Sequence, residues 1–464
     1  MKKNILSIFI LMLYSTCTVL SQNLDTNTLN SLQNNYKSQV EKDKAIINAL
    51  TNNDIRNIAL NRDIAGKVEH NFKYKVKVTG ITDQKSSGRC WMFTGYNSLR
   101  PKLIESKELS GFEFSTNYLF FYDMLEKSNL FLEAILQNAN KPMEDKTVEW
   151  LFKNPVGDGG VWNSFSNLIE KYGTVPKSVM PETYHSENTS WLNRLLARKL
   201  REYGLQLREL NDSKASVKQI QDEKYKMISE IYRMLVLFLG EPPTEFSYRF
   251  VDKNKNIGEY KIYTPQSFFK EMFPDYRSSD YIMLMNDPTR EYYKVYEIEY
   301  DRNVMEGKNW RYLNLPSDEI KKYAIESIKA DEAMYASCDV GKQLYKNDGT
   351  LDLKNYDFES LLGINFGMDK PERIKTFDSG SSHAMLLMAV DTDNNDKPVK
   401  WQFENSWGSA YGNNGYLTFT DEWFNDYMFR VVVNKKYVDN EIIKLSEQKS
   451  ILLPPWDPMF SEDI

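Results

Sequence analysis

Three cysteines and three histidines are the only thiols and imidazoles in this chain, so thiolate chemistry has few places to sit. Cys90 stands in Gln84-Lys85-Ser86-Ser87-Gly88-Arg89-Cys90-Trp91-Met92-Phe93, where Ser86-Ser87-Gly88 breaks the preceding pattern and an apolar run begins at the cysteine. A thiol at the start of a helix meets unpaired backbone N–H groups and the positive end of the helix dipole, and both favour the nucleophilic thiolate. Gln84, upstream on the same turn, can aim its side-chain amide at the same reacting centre. A thiolate at neutral pH calls for an imidazolium partner that is itself held by a third group. His383 lies in Ser381-Ser382-His383-Ala384-Met385, just before an apolar strand, whereas His70 and His185 sit in polar, loop-like contexts that predict a plain surface role. Asn405, in Phe403-Glu404-Asn405-Ser406-Trp407-Gly408, ends another strand and can orient the imidazole.

The elements that must carry these groups follow from periodicity and breakers. Alternation over residues 72–81 predicts a strand, and the run 90–103 predicts a helix starting at the cysteine. Further helices are expected at 115–136, 162–172, 191–210 and 222–239, the last stopped by Gly240-Glu241-Pro242-Pro243. A Tyr-rich stretch, 246–312, mixes short strands with turns and carries no chemical motif. Strands are then expected at 333–338, 385–390, 401–404, 416–420 and 429–433. Residues 23–63 are Asn-rich with helical spacing and predict an N-terminal arm lying on the body. Gly157-Asp158-Gly159-Gly160 precedes the helix at 162, and taken alone its glycine pair reads as a helix-entry turn.

Composition narrows the class. The 464 residues are 41% hydrophobic and 27% charged, with mean hydropathy −0.57, which excludes a polytopic membrane protein and a chain too polar to fold. The cysteines and histidines are too scattered for a structural zinc module. A net charge of −6 gives no basic footprint, so no nucleic-acid partner is expected. Lys2 and Lys3 precede an apolar run of about ten residues, too short to span a bilayer, and Val19 and Ser21 are small enough for the −3 and −1 positions of a cleavage site. An export signal over residues 1–21 is therefore expected, and its removal takes the charge from −6 to −8 and leaves no membrane span in the mature chain. Cys17 suggests lipidation instead, but Tyr14-Ser15-Thr16 is a poor approach to a lipidated cysteine. Cys90 and Cys338 then remain, too few for a disulfide framework in an exported chain.

The segment 84–93, the Gly159-Gly160 pair before a helix, Ser382-His383-Ala384, and Asn405-Ser406-Trp407-Gly408 with Gly412, Gly415 and Tyr416 resemble the papain-like cysteine peptidases in order and spacing. The long separation of Cys90 from His383 implies large insertions. Tyr118-Leu119-Phe120-Phe121, Asp158-Gly159-Gly160, Glu170-Lys171-Tyr172-Gly173, Cys338-Asp339-Val340-Gly341-Lys342 and Pro454-Pro455-Trp456-Asp457-Pro458-Met459 are similar to the bleomycin hydrolase and aminopeptidase C branch. The places of one papain disulfide hold Ser87 and Gly157, both partners missing together, as suits a largely cytosolic branch. The export signal is the departure from that branch.

The resemblance implies an α+β, papain-like two-lobed fold, a helical lobe plus an antiparallel β lobe, with large helical and hook-like insertions. With the signal and arm read from the residues and the rest from the resemblance, the chain divides into 1–21 (signal), 22–63 (arm), 64–186 (helical lobe), 187–322 (insertion, oligomerisation), 323–453 (β lobe) and 454–464 (a C-terminal arm into the active-site cleft). The resemblance also implies a cysteine-type aminopeptidase acting on peptides with a free N-terminus, without cofactor or metal. Cys90, His383 and Asn405 are the expected catalytic residues and Gln84 the oxyanion-hole donor. Gly159 and Gly160 are expected to dock the substrate main chain, Trp407 to shield the His383–Asn405 bond beside the substrate, and the Ile464 carboxylate to meet the substrate amine. Cys338 is expected to pack. A homo-oligomer, a hexamer by resemblance, is expected, assembled through 187–322. Arg194, Arg198, Lys199, Arg201 and Arg208 in that segment read as a solvated helix face with ion pairs. Two other readings compete: an exported papain-like endopeptidase and a catalytically silent oligomeric scaffold.

Overall fold

The computed structural model describes residues 23–78 and 80–460; the signal at 1–21 and Ile464 lie outside them. The chain divides into two compact units, one of residues up to Ala59 with Ser360–Gly363, the other of Leu60–Glu359 with Ile364–Ile464. In the first, Thr26–Lys37, Val40–Asn52 and Ile55–Ile58 are helical, matching the helical spacing there.

In the second unit, helices α1 (Cys90–Ser106), α2 (Thr116–Gln137), α3 (Trp162–Tyr172), α4 (Ser190–Asp212) and α5 (Val217–Leu239) lie close to their expected places. α5 starts ahead of the expected residue 222 because Ser216 and Gln219 form a capping box. At Gly95 an added Cβ would come within 2.5 Å of the Phe165 ring, so glycine lets α1 and α3 pack closely. Strands β1 (Tyr281–Met285), β2 (Val295–Ile298), β3 (Arg311–Asn314), β4 (Met334–Cys338), β5 (His383–Thr392), β6 (Pro398–Glu404), β7 (Tyr416–Thr420), β8 (Met428–Asn434) and β9 (Ile451–Leu453) belong to one twelve-stranded sheet. Its order is β9-β2-β3-β1-β8-β4-β5-β6-β7, continued by Thr350–Leu351 and Leu344–Tyr345. Most neighbours are antiparallel, but β9 with β2, β1 with β3, and β7 with Thr350–Leu351 run parallel. β1, β2 and β3 come from within 187–322, so the segment expected as an insertion supplies part of the β lobe's own sheet.

Side-chain alternation makes the sheet a divider between two cores. Tyr335, Ala384 and Phe429 join the helices in one, while Met334, Ala336, Met385 and Leu387 fill the other with the sheet's far side. Two local expectations need correction. The strand expected over 72–81 is only Tyr74–Lys75, paired with Val390 and Ala389 of β5, because this edge touches the sheet briefly before the chain turns toward Gln84. The Tyr-rich stretch also holds the helix Pro265–Met272, started by a Thr264–Ser267 capping box with proline at its first position.

Candidate active site

Cys90 opens α1. Arg89 caps the helix with no side-chain bond, leaving first-turn N–H groups unspent. The backbone N–H groups of Ala384, Trp91 and Cys90 itself pull the Cys90 thiol down. Ala384 is the second residue of β5, so the start of the nucleophile's helix and the start of the histidine's strand converge on one sulfur. Burial nevertheless pushes the thiol up to about 11, against the pull of those donors. At the helix start the pull of these donors is therefore outweighed by burial.

His383 is buried at the head of β5. Its Nε2 donates to Asn405 Oδ1 at 2.9 Å, and the Ser406 backbone N–H donates to the same oxygen at 2.8 Å, which identifies it as the amide oxygen. Burial pulls the imidazole down to about 4 against that bond. Burial thus disfavours the charged form of the thiol and of the ring alike. Trp407 covers the ring, with centroids 4.9 Å apart.

Gln84 is set by three bonds around the turn. Its backbone N–H donates to Ser406 O (2.8 Å), its Nε2 to Ser87 O (2.7 Å), and its Oε1 accepts from Ser406 Oγ (2.7 Å). One hydrogen of the amide nitrogen is left without a partner among the described residues. Ser406 was given no role from the sequence, although it lies inside the Asn-Ser-Trp-Gly run, and Ser87 was read only as the place of a missing disulfide. Arg89, fully buried, donates from Nε to Ser87 Oγ and pairs with Glu182 at 2.9 Å, bracing the turn from behind.

Residues 157–160 lie against the front of α1. Gly88 N–H donates to Asp158 Oδ2 at 2.7 Å, Trp91 Nε1 donates to Asp158 O at 2.8 Å, and a Cβ on Gly160 would meet the Trp91 ring at 2.6 Å. Residues 158–160 thus pack on Gly88 and Trp91, the neighbours of Cys90. Cys338 is buried on β4 directly across from His383, with its thiol pushed up by burial. His185 sits in a short helix with its ring 4.6 Å from that of Phe238. His70 departs from the surface role expected of it: half-buried, it clips Thr418 (2.8 Å) and Asp348 (3.3 Å). The arm can be followed to the end of the described chain: Met459 is fully buried, and its carbonyl accepts from the Ser381 N–H at 3.4 Å, two residues before His383. Among the described residues no cluster is placed to hold a metal ion, and no helix is long and apolar enough to cross a membrane.

A thiol at a helix start, an amide-held imidazole heading a strand of the facing sheet, and a side-chain amide on the preceding turn define a papain-like cysteine peptidase. The Peptidase C1-like family matches residues 23–460. Human bleomycin hydrolase is 39% identical over 89% of this chain and 93% of its own length, and aminopeptidase C of Lactobacillus delbrueckii subsp. lactis is 39% identical over 84% and 87%. The crystal structure of PepW from Lactobacillus rhamnosis superposes with a TM-score of 0.90 at 38% identity, covering 95% of this chain and all of that one. The chain belongs to the Peptidase C1-like family and is a cysteine-type aminopeptidase.

Proposed function

We propose that Cys90, His383, Asn405 and Gln84 carry the hydrolysis of N-terminal residues from peptides with a free amine. The observation that carries this is the 2.9 Å bond from His383 Nε2 to Asn405 Oδ1, because it leaves Nδ1 as the ring nitrogen free to exchange a proton with Cys90. The sulfur attacks the peptide carbonyl carbon and forms a C–S bond, and the oxyanion is received by the Gln84 amide and the Cys90 backbone N–H. Collapse breaks the C–N bond as His383 gives its proton to the leaving amine. Water, deprotonated by the ring, then attacks the thioester, releases the N-terminal residue and restores the thiol.

Gly159 and Gly160 dock the substrate main chain in this reading. The segment after Met459 brings the Ile464 carboxylate, with Glu462 and Asp463 nearby in sequence, toward the substrate ammonium. A homohexamer and export after cleavage near Ser21 complete the proposal, tested by native mass and by the intact mass of the secreted protein. The central test is hydrolysis of an aminoacyl-naphthylamide by wild type and Cys90→Ala. Loss of activity in the variant is expected, and equal rates would overturn the assignment. An N-blocked substrate cleaved as fast as the free-amine one would favour the endopeptidase instead.

A further inference from the structure

We propose that Lys127 is a positioning residue for the substrate dock, holding residues 157–160 from beneath. The inference rests on reading Gly159-Gly160 as the dock and deepens that reading. Lys127 lies on α2, outside every motif that marks the family resemblance. Its Nζ reaches Asp123 Oδ2 at 2.7 Å, Gly157 O at 2.9 Å and Gly159 O at 2.5 Å. These three acceptors match the three donors of an ammonium group.

An ion pair with Asp123 needs only the first of those contacts, so the other two describe what the lysine holds. With Trp91 Nε1 on Asp158 O, three successive carbonyls, 157 to 159, are each tied by a protein donor. The Gly160 N–H and C=O, by contrast, have no hydrogen-bond partner among the described residues, as a backbone position reserved for a substrate main chain requires. The tether is itself anchored. Asp123 is fully buried, and its other oxygen accepts from Asn303 Nδ2 at 2.9 Å, while the same amide reaches Ser164 O of α3 at 3.1 Å. The loop is thus fixed to α2 before it and α3 after it. A flexible dock would pay an ordering cost at each binding event, which this tether removes in advance.

The test compares wild type, Lys127→Met and the double variant Lys127→Met/Asp123→Asn, which avoids leaving a buried carboxylate without its cation. Each is assayed for kcat and KM on a free-amine aminoacyl-naphthylamide, for alkylation of Cys90 by iodoacetamide, and for cooperative melting. Iodoacetamide needs the thiolate but not the dock. KM is expected to rise about tenfold or more, with kcat changed less than about threefold and alkylation within about twofold of wild type. A KM within about twofold of wild type in a cooperatively melting variant overturns the role of Lys127. So does a parallel fall of alkylation and hydrolysis, which marks a general loss of the site. Wild-type hydrolysis that survives Cys90→Ala instead overturns the active site on which the inference rests.

Discussion

Arg100 Nη2 lies 2.6 Å from Glu404 Oε1 with both side chains buried, and this pair joins the helix that begins at Cys90 to the residue immediately before Asn405. Burial pushes the Glu404 carboxyl up from 4.5 to about 7, against the pull of Arg100. Between those values the folded chain holds a proton that the unfolded chain has lost, so this group's contribution to stability falls as pH rises. Glu404→Gln removes the titration. Relative to that variant, wild type is expected to be most stable below about pH 4.5 and to lose up to about 3 kcal/mol as pH passes 7. Urea melts of both proteins at pH 5 and pH 8 measure it, and a gap that does not move with pH would mean the Arg100 charge holds the carboxylate ionised throughout.

In the proposed mechanism Gln84 contributes a donor that matters only once negative charge develops on the substrate oxygen. Gln84→Ala is expected to lower kcat about 10²-fold to 10³-fold, with Cys90 alkylation by iodoacetamide unchanged, since that reaction makes no oxyanion. Ser406 Oγ on Gln84 Oε1 fixes the amide's direction. An equal fall in both reactions would assign Gln84 to the turn that shapes the thiol, not to the oxyanion.

His383→Ala tests the shared proton. Without the imidazole the partly buried thiol keeps its high value, near 11, and its reactive fraction at pH 7 is small. Alkylation at pH 7 is expected to drop about 100-fold or more and to climb steadily with pH toward 11. Wild type is expected to show instead a plateau across neutral pH, the signature of a paired site. A variant that alkylates at the wild-type rate at pH 7 would locate the source of the thiolate elsewhere.

What the sequence made legible was local. The helix at Cys90 and the strand at His383 follow from an apolar run after a breaker and from the strand pattern, and Asn405 and Gln84 carry recognisable neighbours. The groups that hold the site in place are different in kind. Lys127 and Asp123 share a helix turn, but their loop carbonyls and Asn303 are brought to them only by tertiary packing, with Asp123 and Asn303 180 residues apart. Residues 281–314 read as short strands mixed with turns inside an insertion, and not as part of the main sheet, because their strands are four or five residues long, too short for alternation to stand out from a Tyr-rich background. The high thiol value of Cys90 was hidden for a related reason. A helix start is visible in sequence, whereas the burial that outweighs it depends on the core that Cys90 packs against.

The arm's anchor allows its tip to be removed without disturbing the rest. Asp457 pairs with Arg290 and accepts from the Met459 N–H at 3.2 Å, while Met459 is buried beside Ser381. All of these contacts precede residue 461, so deletion of residues 461–464 leaves the clasp intact and is expected to leave the melting temperature within a few degrees of wild type. If the tip supplies the carboxylate that meets the substrate amine, the deletion removes recognition of the amine and leaves the Cys90–His383 pair untouched. The ratio of kcat/KM for a free-amine aminoacyl-naphthylamide to that for its N-acetylated counterpart is then expected to fall at least about tenfold, about 1.4 kcal/mol of discrimination, with Cys90 alkylation unchanged. A ratio that stays at the wild-type value in a normally melting protein would show that amine selection is built into the cleft walls and not into the tail.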